Sequence, residues 1–93
     1  MLDIPTDSKA EHTILSVEKR KDGYVYVVNK RAGSSGTSYG KRKVDCKKHK
    51  FTYVADGETL KAMDAEKDDG KLYPLIDGSI SDYVAKFACN HRS

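Results

Sequence analysis

Tryptophan is absent from this 93-residue chain, and no stretch of it is both long and apolar. Tyrosine and phenylalanine must therefore supply the large aromatic side chains of any core. A membrane-spanning helix needs roughly 20 consecutive apolar residues, so none is predicted. The first residues also lack the basic and apolar regions of a signal peptide. This start suits a cytosolic protein, and equally an exported one without its leader.

Charge is abundant but unevenly distributed. Charged residues make up 33% of the chain and apolar residues 38%, a balance typical of a folded domain with a strongly charged surface. The net charge is +3, yet residues 41–50 are rich in lysine while residues 56–69 are rich in carboxylates. Because the two regions carry opposite charges, charge alone does not predict a polyanionic partner.

The length is sufficient for one domain. Residues 1–11 are polar and include Pro5, so they are predicted to form a flexible N-terminal arm. Residues 12–93 are predicted to form a single domain. A domain this small buries a modest share of its surface, and a covalent crosslink would therefore add much to its stability.

Two strands joined by a tight turn are predicted near the N-terminus. Thr13, Leu15 and Val17 alternate with more polar neighbours, which is the period of a half-buried strand. The turn at 21–23 ends in glycine, and residues 24–28 are β-branched or aromatic, as strands commonly are. The pattern predicts a β-hairpin.

The glycine- and serine-rich segment 32–38 has the composition of a flexible loop. A phosphate-binding P-loop would end in Lys-Ser or Lys-Thr and lead into a helix, and this segment does neither. A third strand at 39–46 and a fourth at 51–55 are predicted next. Alternation along the third strand places Val44 and Cys46 on its inward side.

Residues 58–65 and 72–76 are less regular. Helix propensity competes with hairpin topology over 58–65, and we favour a strand there. The apolar residues of 72–76 surround Pro74, which has no backbone donor. This segment is therefore predicted to be an edge strand or an extended loop packed on the core.

The clearest element is an amphipathic helix near the C-terminus. Ser79 is placed to cap it, and Asp82 follows three residues later, where a carboxylate suits the positive end of a helix. Its apolar stripe consists of Ile80, Tyr83, Val84 and Phe87. We predict an α+β fold in which an antiparallel β-sheet of about four to six strands is covered by this C-terminal amphipathic α-helix.

Two cysteines allow a disulfide, a metal site or two free thiols. Cys46 is predicted to face the core and Cys89 lies near the end of the covering helix, so their placement favours a disulfide. Such a bridge would close a loop of about 40 residues, worth on the order of 4 kcal/mol. The alternative zinc set is Cys46, His49, Cys89 and His91, although the one-residue spacing at the helix end fits zinc sites poorly.

Catalysis and nucleic-acid binding have weaker support. A catalytic cysteine–histidine pair would need an activated free thiol. The acidic stretch 64–69 is interspersed with lysine, as solvated loops are, and so does not indicate an acid–base pair. The basic residues around Cys46 suit phosphate contacts, but the acidic stretch would repel a polyanion and no recognised binding motif accompanies them. We predict no enzymatic activity and no cofactor.

The order of four segments between residues 39 and 90 can be compared with that in known families. They are Arg42-x-Val44-Asp45-Cys46, Phe51-Thr52-Tyr53 with a turn at Gly57, Tyr73-Pro74-Leu75-Ile76-Asp77-Gly78-Ser79, and Tyr83-Val84-x-x-Phe87-Ala88-Cys89. This order resembles the surface-adhesin E family, small exported bacterial domains with an antiparallel sheet and a terminal helix. The resemblance implies a periplasmic or cell-surface location and a Cys46–Cys89 bridge.

The sequence thus predicts a non-enzymatic, exported binding module, for which the resemblance suggests adhesin-like protein binding. The predicted contact surface consists of Lys41, Lys43, Lys47 and Lys48. Its partner would be a protein, or a second copy of the chain joined through an edge strand. The alternative is a cytosolic nucleic-acid-binding or zinc-stabilised small domain.

Overall fold

A five-stranded antiparallel sheet with one α-helix forms the protein, in a computed structural model that describes residues 5, 9–67 and 70–90. The strands neighbour one another in chain order, β1-β2-β3-β4-β5, so each follows its neighbour as in a meander. The elements are β1 (Glu11–Lys19), β2 (Val25–Gly33), β3 (Gly36–Asp45), β4 (Lys50–Gly57), a 3-10 helix (Leu60–Asp64), β5 (Tyr73–Pro74) and α1 (Ile80–Asn90). The predicted α+β class and its C-terminal helix are confirmed.

The first hairpin forms as predicted, but a bulge interrupts the alternation of β1. The register of β1 against β2 shifts between Ile14 and Ser16, so Leu15 is the additional residue. A bulge moves every later side chain to the other face of the strand. Ile14 and Val17 therefore pack against the core, while Leu15 is 42% exposed.

The segment predicted as a flexible loop is a tight hairpin. Strand β2 continues to Gly33 and β3 begins at Gly36, leaving only Ser34 and Ser35 between them. Gly36 has a φ of 126°, a conformation that side chains with a Cβ rarely adopt. Glycine and serine were therefore the signature of a turn here, and not of a disordered connection.

One face of the sheet, termed the helix face, carries the larger core. Val25, Val27 and Val44 project from β2 and β3 against α1. The helix presents Val84 together with two small residues, Ala85 and Ala88, all of them buried. Small side chains let the helix lie close to the sheet, so the contact centres on alanines that the predicted stripe did not include.

The start of α1 is capped as predicted. Ser79 Oγ accepts a hydrogen bond from the backbone N–H of Asp82 at 3.1 Å. The carboxylate of Asp82 in turn accepts the N–H of Gly78 at 3.0 Å. The first bond satisfies a donor that a helix start leaves without an intrahelical partner, and the second ties the residue before the cap to the first turn.

The opposite face, termed the 3-10 face, carries a smaller core of Val28, Ala55 and Met63. The prediction of a strand over 58–65 is wrong, because this segment forms the 3-10 helix that supplies Met63. Local helix propensity outweighs hairpin topology here. A Cβ on Gly57 would lie 2.6 Å from the Cβ of Ala62, so glycine permits this close return of the chain.

The predicted edge strand is confirmed as β5, which pairs with β4 through Lys50 and Phe51 only. Leu75 packs against the core of the helix face, whereas Ile76 is 72% exposed. The segment 72–76 is thus only partly packed on the core.

Cys46 and Cys89 form the predicted disulfide, with their Cα atoms 5.8 Å apart. Cys46 follows β3 directly, and Cys89 lies in the last turn of α1. The bridge ties the helix to the sheet across 43 residues, a closure worth about 4 kcal/mol in the chain-entropy model.

Candidate functional site

Lys41 and Lys43, half of the predicted contact surface, project from the 3-10 face and bind other side chains. Lys41 Nζ lies 2.7 Å from a carboxylate oxygen of Glu66, and the Lys41 side chain is 12% exposed. Lys43 Nζ lies 4.3 Å from the centroid of the Tyr24 ring, within cation–π distance. Both side chains therefore contribute to the packing of this face.

Lys47 and Lys48, the other half, are exposed in the turn between β3 and β4. Their backbone N–H groups both donate to a carboxylate oxygen of Asp45 at 3.1 Å. Lys41 and Lys43 thus share a sheet face, while Lys47 and Lys48 lie in a turn beyond its end. Lys47 and Lys48 are the members of the predicted surface that present their side chains to solvent.

The disulfide bears directly on the alternative zinc set. Zinc binds cysteine as the thiolate, and in the structure both sulfurs are bonded to each other. His49 is exposed in the turn after β3, with a φ of 53°. His91 lies outside the described residues.

The free edges of the sheet determine where another chain could add. Strand β1 is the outer strand on one side, and its bulge between Ile14 and Ser16 interrupts the regular edge. Strand β5 ends the other side and contains two residues, one of them Pro74. Bulges, prolines and short strands all discourage edge-to-edge pairing. A dimer formed through an edge strand remains a prediction.

An ion cluster lies on the 3-10 face, centred on Glu66. Arg20 donates to both of its carboxylate oxygens at 2.8 and 2.7 Å, and Lys41 adds the contact at 2.7 Å. The hydrogen bonds from Arg20 and then Lys41 lower the pKa of Glu66 from an ordinary 4.5 to about 2. Arg20 also lies 3.7 Å above the ring of Tyr26. Nε of Arg20 also donates to a carboxylate oxygen of Glu18, so two cations face two carboxylates, as in a structural ion-pair network.

Arg42 on the helix face is surrounded quite differently. The residue is only 3% exposed, and its guanidinium donates through Nε to Ser81 Oγ at 3.1 Å and through Nη2 to Tyr53 Oη at 2.5 Å. Nη1 donates to the side-chain oxygen of Asn29. The guanidinium carbon lies 4.5 Å from the centroid of the Tyr53 ring. Each of these partners is neutral.

Among the residues that the structure describes, no carboxylate pairs with Arg42. Burial lowers the pKa of Arg42 below its ordinary value, and the interactions with Tyr53 work in the opposite direction. An arginine nevertheless stays protonated in proteins. Removing such a cation from water costs several kcal/mol, and structural buried charges are normally paired with an opposite charge.

A cavity of about 410 Å³ opens beside Arg42 on the helix face. Its wall is formed by β1 to β4 and the first residue of α1. Besides Arg42 and Tyr53, the residues around it include His12, Arg31, Gly40, Asp56, Glu58 and Ile80. Asp56 and Glu58 are exposed, whereas Arg42 is buried, so the cavity has a cationic floor and an acidic rim.

Gly40 keeps this floor open. A Cβ built on it would lie 3.5 Å from the side-chain oxygen of Asn29 and 3.7 Å from Nη1 of Arg42, ordinary contact distances. The Cβ would also lie 3.5 Å from Cε1 of Tyr53, so a side chain at this position would add atoms directly beside the guanidinium and its partners.

Sequence reasoning missed Arg42 as a site residue. Gly40, Arg42 and Val44 occupy alternate positions of β3, so the alternation that places Val44 inward places Arg42 inward as well. Its neighbours Lys41 and Lys43 were assigned to the predicted contact surface. An arginine at an inward position between glycine and valine was the available signal.

Comparisons with known proteins add no assignment. No family model, no curated protein and no solved structure matches the chain. The resemblance to the surface-adhesin E family therefore remains a prediction. Within the described residues, no helix has the length and apolar character needed to cross a membrane.

Proposed function

We propose that this protein is a non-enzymatic binding module of an extracytoplasmic compartment, periplasmic or at the cell surface, and that its ligand occupies the cavity beside Arg42. The observation that carries the proposal is the buried guanidinium, which faces this cavity with neutral partners only. An anionic group of a ligand would supply the missing opposite charge. Charge-assisted hydrogen bonds to arginine are stronger than neutral ones and directional.

The disulfide supports the location. Bridges of this kind persist in oxidising compartments and are rare in reducing ones. The Cys46–Cys89 bond is therefore compatible with a protein that functions outside the cytoplasm. The resemblance to exported adhesin-like domains supports the same proposal.

The alternative cytosolic nucleic-acid-binding function has less support. Lys41 and Lys43 are engaged with Glu66 and Tyr24, which leaves fewer lysines for phosphates. Binding to random oligonucleotides would show itself by a steep salt dependence, since phosphate contacts release counterions. No binding at low salt would rule this alternative out.

The binding proposal is tested by thermal unfolding against a panel of small anionic and zwitterionic compounds. Three proteins are compared: the wild type, Arg42→Gln, and Lys21→Gln as a control that also removes one positive charge, at an exposed lysine of the turn between β1 and β2. A ligand for the folded state raises the melting temperature. We expect at least one compound to stabilise the wild type and Lys21→Gln but not Arg42→Gln.

Gly40→Val serves as a second variant, because it adds bulk directly beside the guanidinium without replacing Arg42. It should also lose the response to the compound while keeping a cooperative unfolding transition. Equal responses from all four proteins, or no response from any, would contradict the proposed site.

Location is tested separately by intact mass. Protein isolated from the envelope fraction of source cells without reductant should weigh two hydrogens less than reduced protein and resist thiol alkylation. Recovery from the cytosol with two alkylatable thiols would contradict an extracytoplasmic function.

A further inference from the structure

We infer that the ligand of the Arg42 cavity is a zwitterion, with a carboxylate on Arg42 and a cationic group beside Asp56. The chemistry that fits is a basic amino acid, either free or as the C-terminal residue of a peptide. This inference rests on the proposed function and specifies the ligand of the same site.

The donors of Arg42 favour a carboxylate. A guanidinium has five N–H groups, two of them on each terminal nitrogen. In the structure Nη1 donates once to Asn29 and Nη2 donates once to Tyr53, so each terminal nitrogen retains one N–H. A planar carboxylate accepts two such hydrogen bonds from one arginine. The three existing bonds already fix the guanidinium, so binding would require little reorganisation.

The charge of the lining opposes a polyanion. Arg31 and Arg42 contribute two positive charges, and Asp56 and Glu58 contribute two negative ones. Among the described residues, no ion pair engages Asp56 or Glu58, so their charge acts on whatever enters the cavity. A phosphate or sulfate dianion would be repelled at this rim, whereas a ligand with both signs is attracted at both ends.

The sheet register places the two charged residues on one wall. Asp56 is the register partner of Gly40, which lies two positions before Arg42 on β3. Directly opposed residues share a face, so all three lie on the helix face. Two residues along a strand span about 7 Å, so Arg42 and Asp56 occupy neighbouring positions of the cavity wall. A basic amino acid carries its α-carboxylate and its side-chain charge at opposite ends of a flexible chain, which lets one molecule contact both residues.

The intervening wall suits an aliphatic side chain. Tyr53 and Ile80 both line the cavity. Lysine presents a methylene chain, which can lie on apolar surface while its ammonium group stays hydrated.

Isothermal titration calorimetry tests the inference with four small probes on the intact protein. L-lysine carries both charges, L-lysinamide lacks the carboxylate, L-norleucine lacks the side-chain cation, and inorganic phosphate is a polyanion. We expect L-lysine to bind, L-norleucine to bind more weakly, and neither lysinamide nor phosphate to bind.

Variants assign the two ends of the ligand. Arg42→Gln should weaken L-lysine binding by about tenfold or more, because a hydrogen-bonded charge pair is lost. Asp56→Asn should weaken the binding of L-lysine but leave that of L-norleucine unchanged. Lys21→Gln should bind L-lysine like the wild type. Equal affinity for L-lysine and L-lysinamide would overturn the inference.

Peptides distinguish the two sources of this chemistry. A short peptide that ends in lysine with a free carboxylate is compared with the same peptide amidated at its C-terminus. Tighter binding of the free peptide than of L-lysine identifies a peptide ligand, and the reverse identifies a free amino acid. Arg42-dependent binding of phosphate alone would overturn the zwitterion and leave the proposed function standing. No binding of any probe would overturn the inference, and the compound panel then decides the proposed function.

Discussion

Two arginines on opposite faces of one sheet differ in nearly every respect. Arg20, on the 3-10 face, is partly exposed and bonds to both carboxylate oxygens of Glu66. Arg42, on the helix face, is buried and bonds only to neutral groups. The charge of Arg20 is neutralised inside the protein, whereas that of Arg42 is not. We therefore interpret Arg20 as structural and Arg42 as part of a ligand site.

The largest expected effect concerns the bridge that holds α1 over Arg42. Replacing both cysteines, as Cys46→Ser with Cys89→Ser, removes a closure worth about 4 kcal/mol. For a domain of this size, that should lower the melting temperature on the order of 20 °C. Thermal unfolding by circular dichroism measures it.

Hydrogen exchange on the same double variant sharpens the comparison. Amides of α1 should lose more protection than those around the Glu66 cluster, because the helix is tethered by the bridge and the cluster is not. Reduced wild-type protein is the control and should behave alike. An unchanged melting temperature would contradict the stabilising role of the bridge.

A smaller loss of stability is expected from Tyr53→Phe. The change removes the hydroxyl that accepts from Nη2 of Arg42 and keeps the ring. A buried charged donor then lacks an acceptor, which should lower the free energy of unfolding by about 1–3 kcal/mol. Urea unfolding measures the change.

The matched control is Tyr73→Phe, at an exposed tyrosine of β5. Its free energy of unfolding should stay within about 0.5 kcal/mol of the wild type. If the two variants were equally stable, the guanidinium of Arg42 would not depend on its neutral partners.

The smallest effect at neutral pH is expected from Glu66→Gln, because partly exposed ion pairs contribute little. The stability difference between the wild type and Glu66→Gln should instead change with pH in the acidic range. The pKa of Glu66 is about 2 in the folded protein and ordinarily 4.5, so the folded state favours the ionised form. The stability this provides is present above about pH 4.5 and is lost as the pH falls towards 2.

Urea unfolding of the wild type and Glu66→Gln across this pH range measures the difference. The gap between the two proteins should narrow as the pH falls. Arg42→Gln should keep the acid dependence of the wild type, since among the described residues no carboxylate bonds to Arg42. A parallel fall for Glu66→Gln would show that Glu66 is not the group responsible.

Periodicity predicted most of the fold. The first hairpin, β3, β4, α1 and the disulfide all follow from patterns of two or 3.6 residues. The turn at Ser34 and Ser35 was missed because a tight glycine turn and a flexible loop share one composition. The 3-10 helix was missed because topology was given more weight than local propensity.

The candidate site was harder to predict, for a physical reason. Arginine is rarely buried, so the basic residues around Arg42 were assigned to the surface. The neutral partners Asn29, Tyr53 and Ser81 come from three other elements, and only the folded chain brings them together. Alternation along β3 was the single local signal of an inward arginine.

The central claim is that the guanidinium of Arg42 receives the ligand's carboxylate, and NMR of the arginine side chains tests it most directly. The Nε–Hε signals of Arg20 and Arg42 are followed while L-lysine is titrated into the protein, and Arg42→Gln assigns the Arg42 signal. We predict a saturable shift of the Arg42 signal and none of the Arg20 signal. A shift of Arg20 with Arg42 unmoved, or no shift of either, would contradict the account.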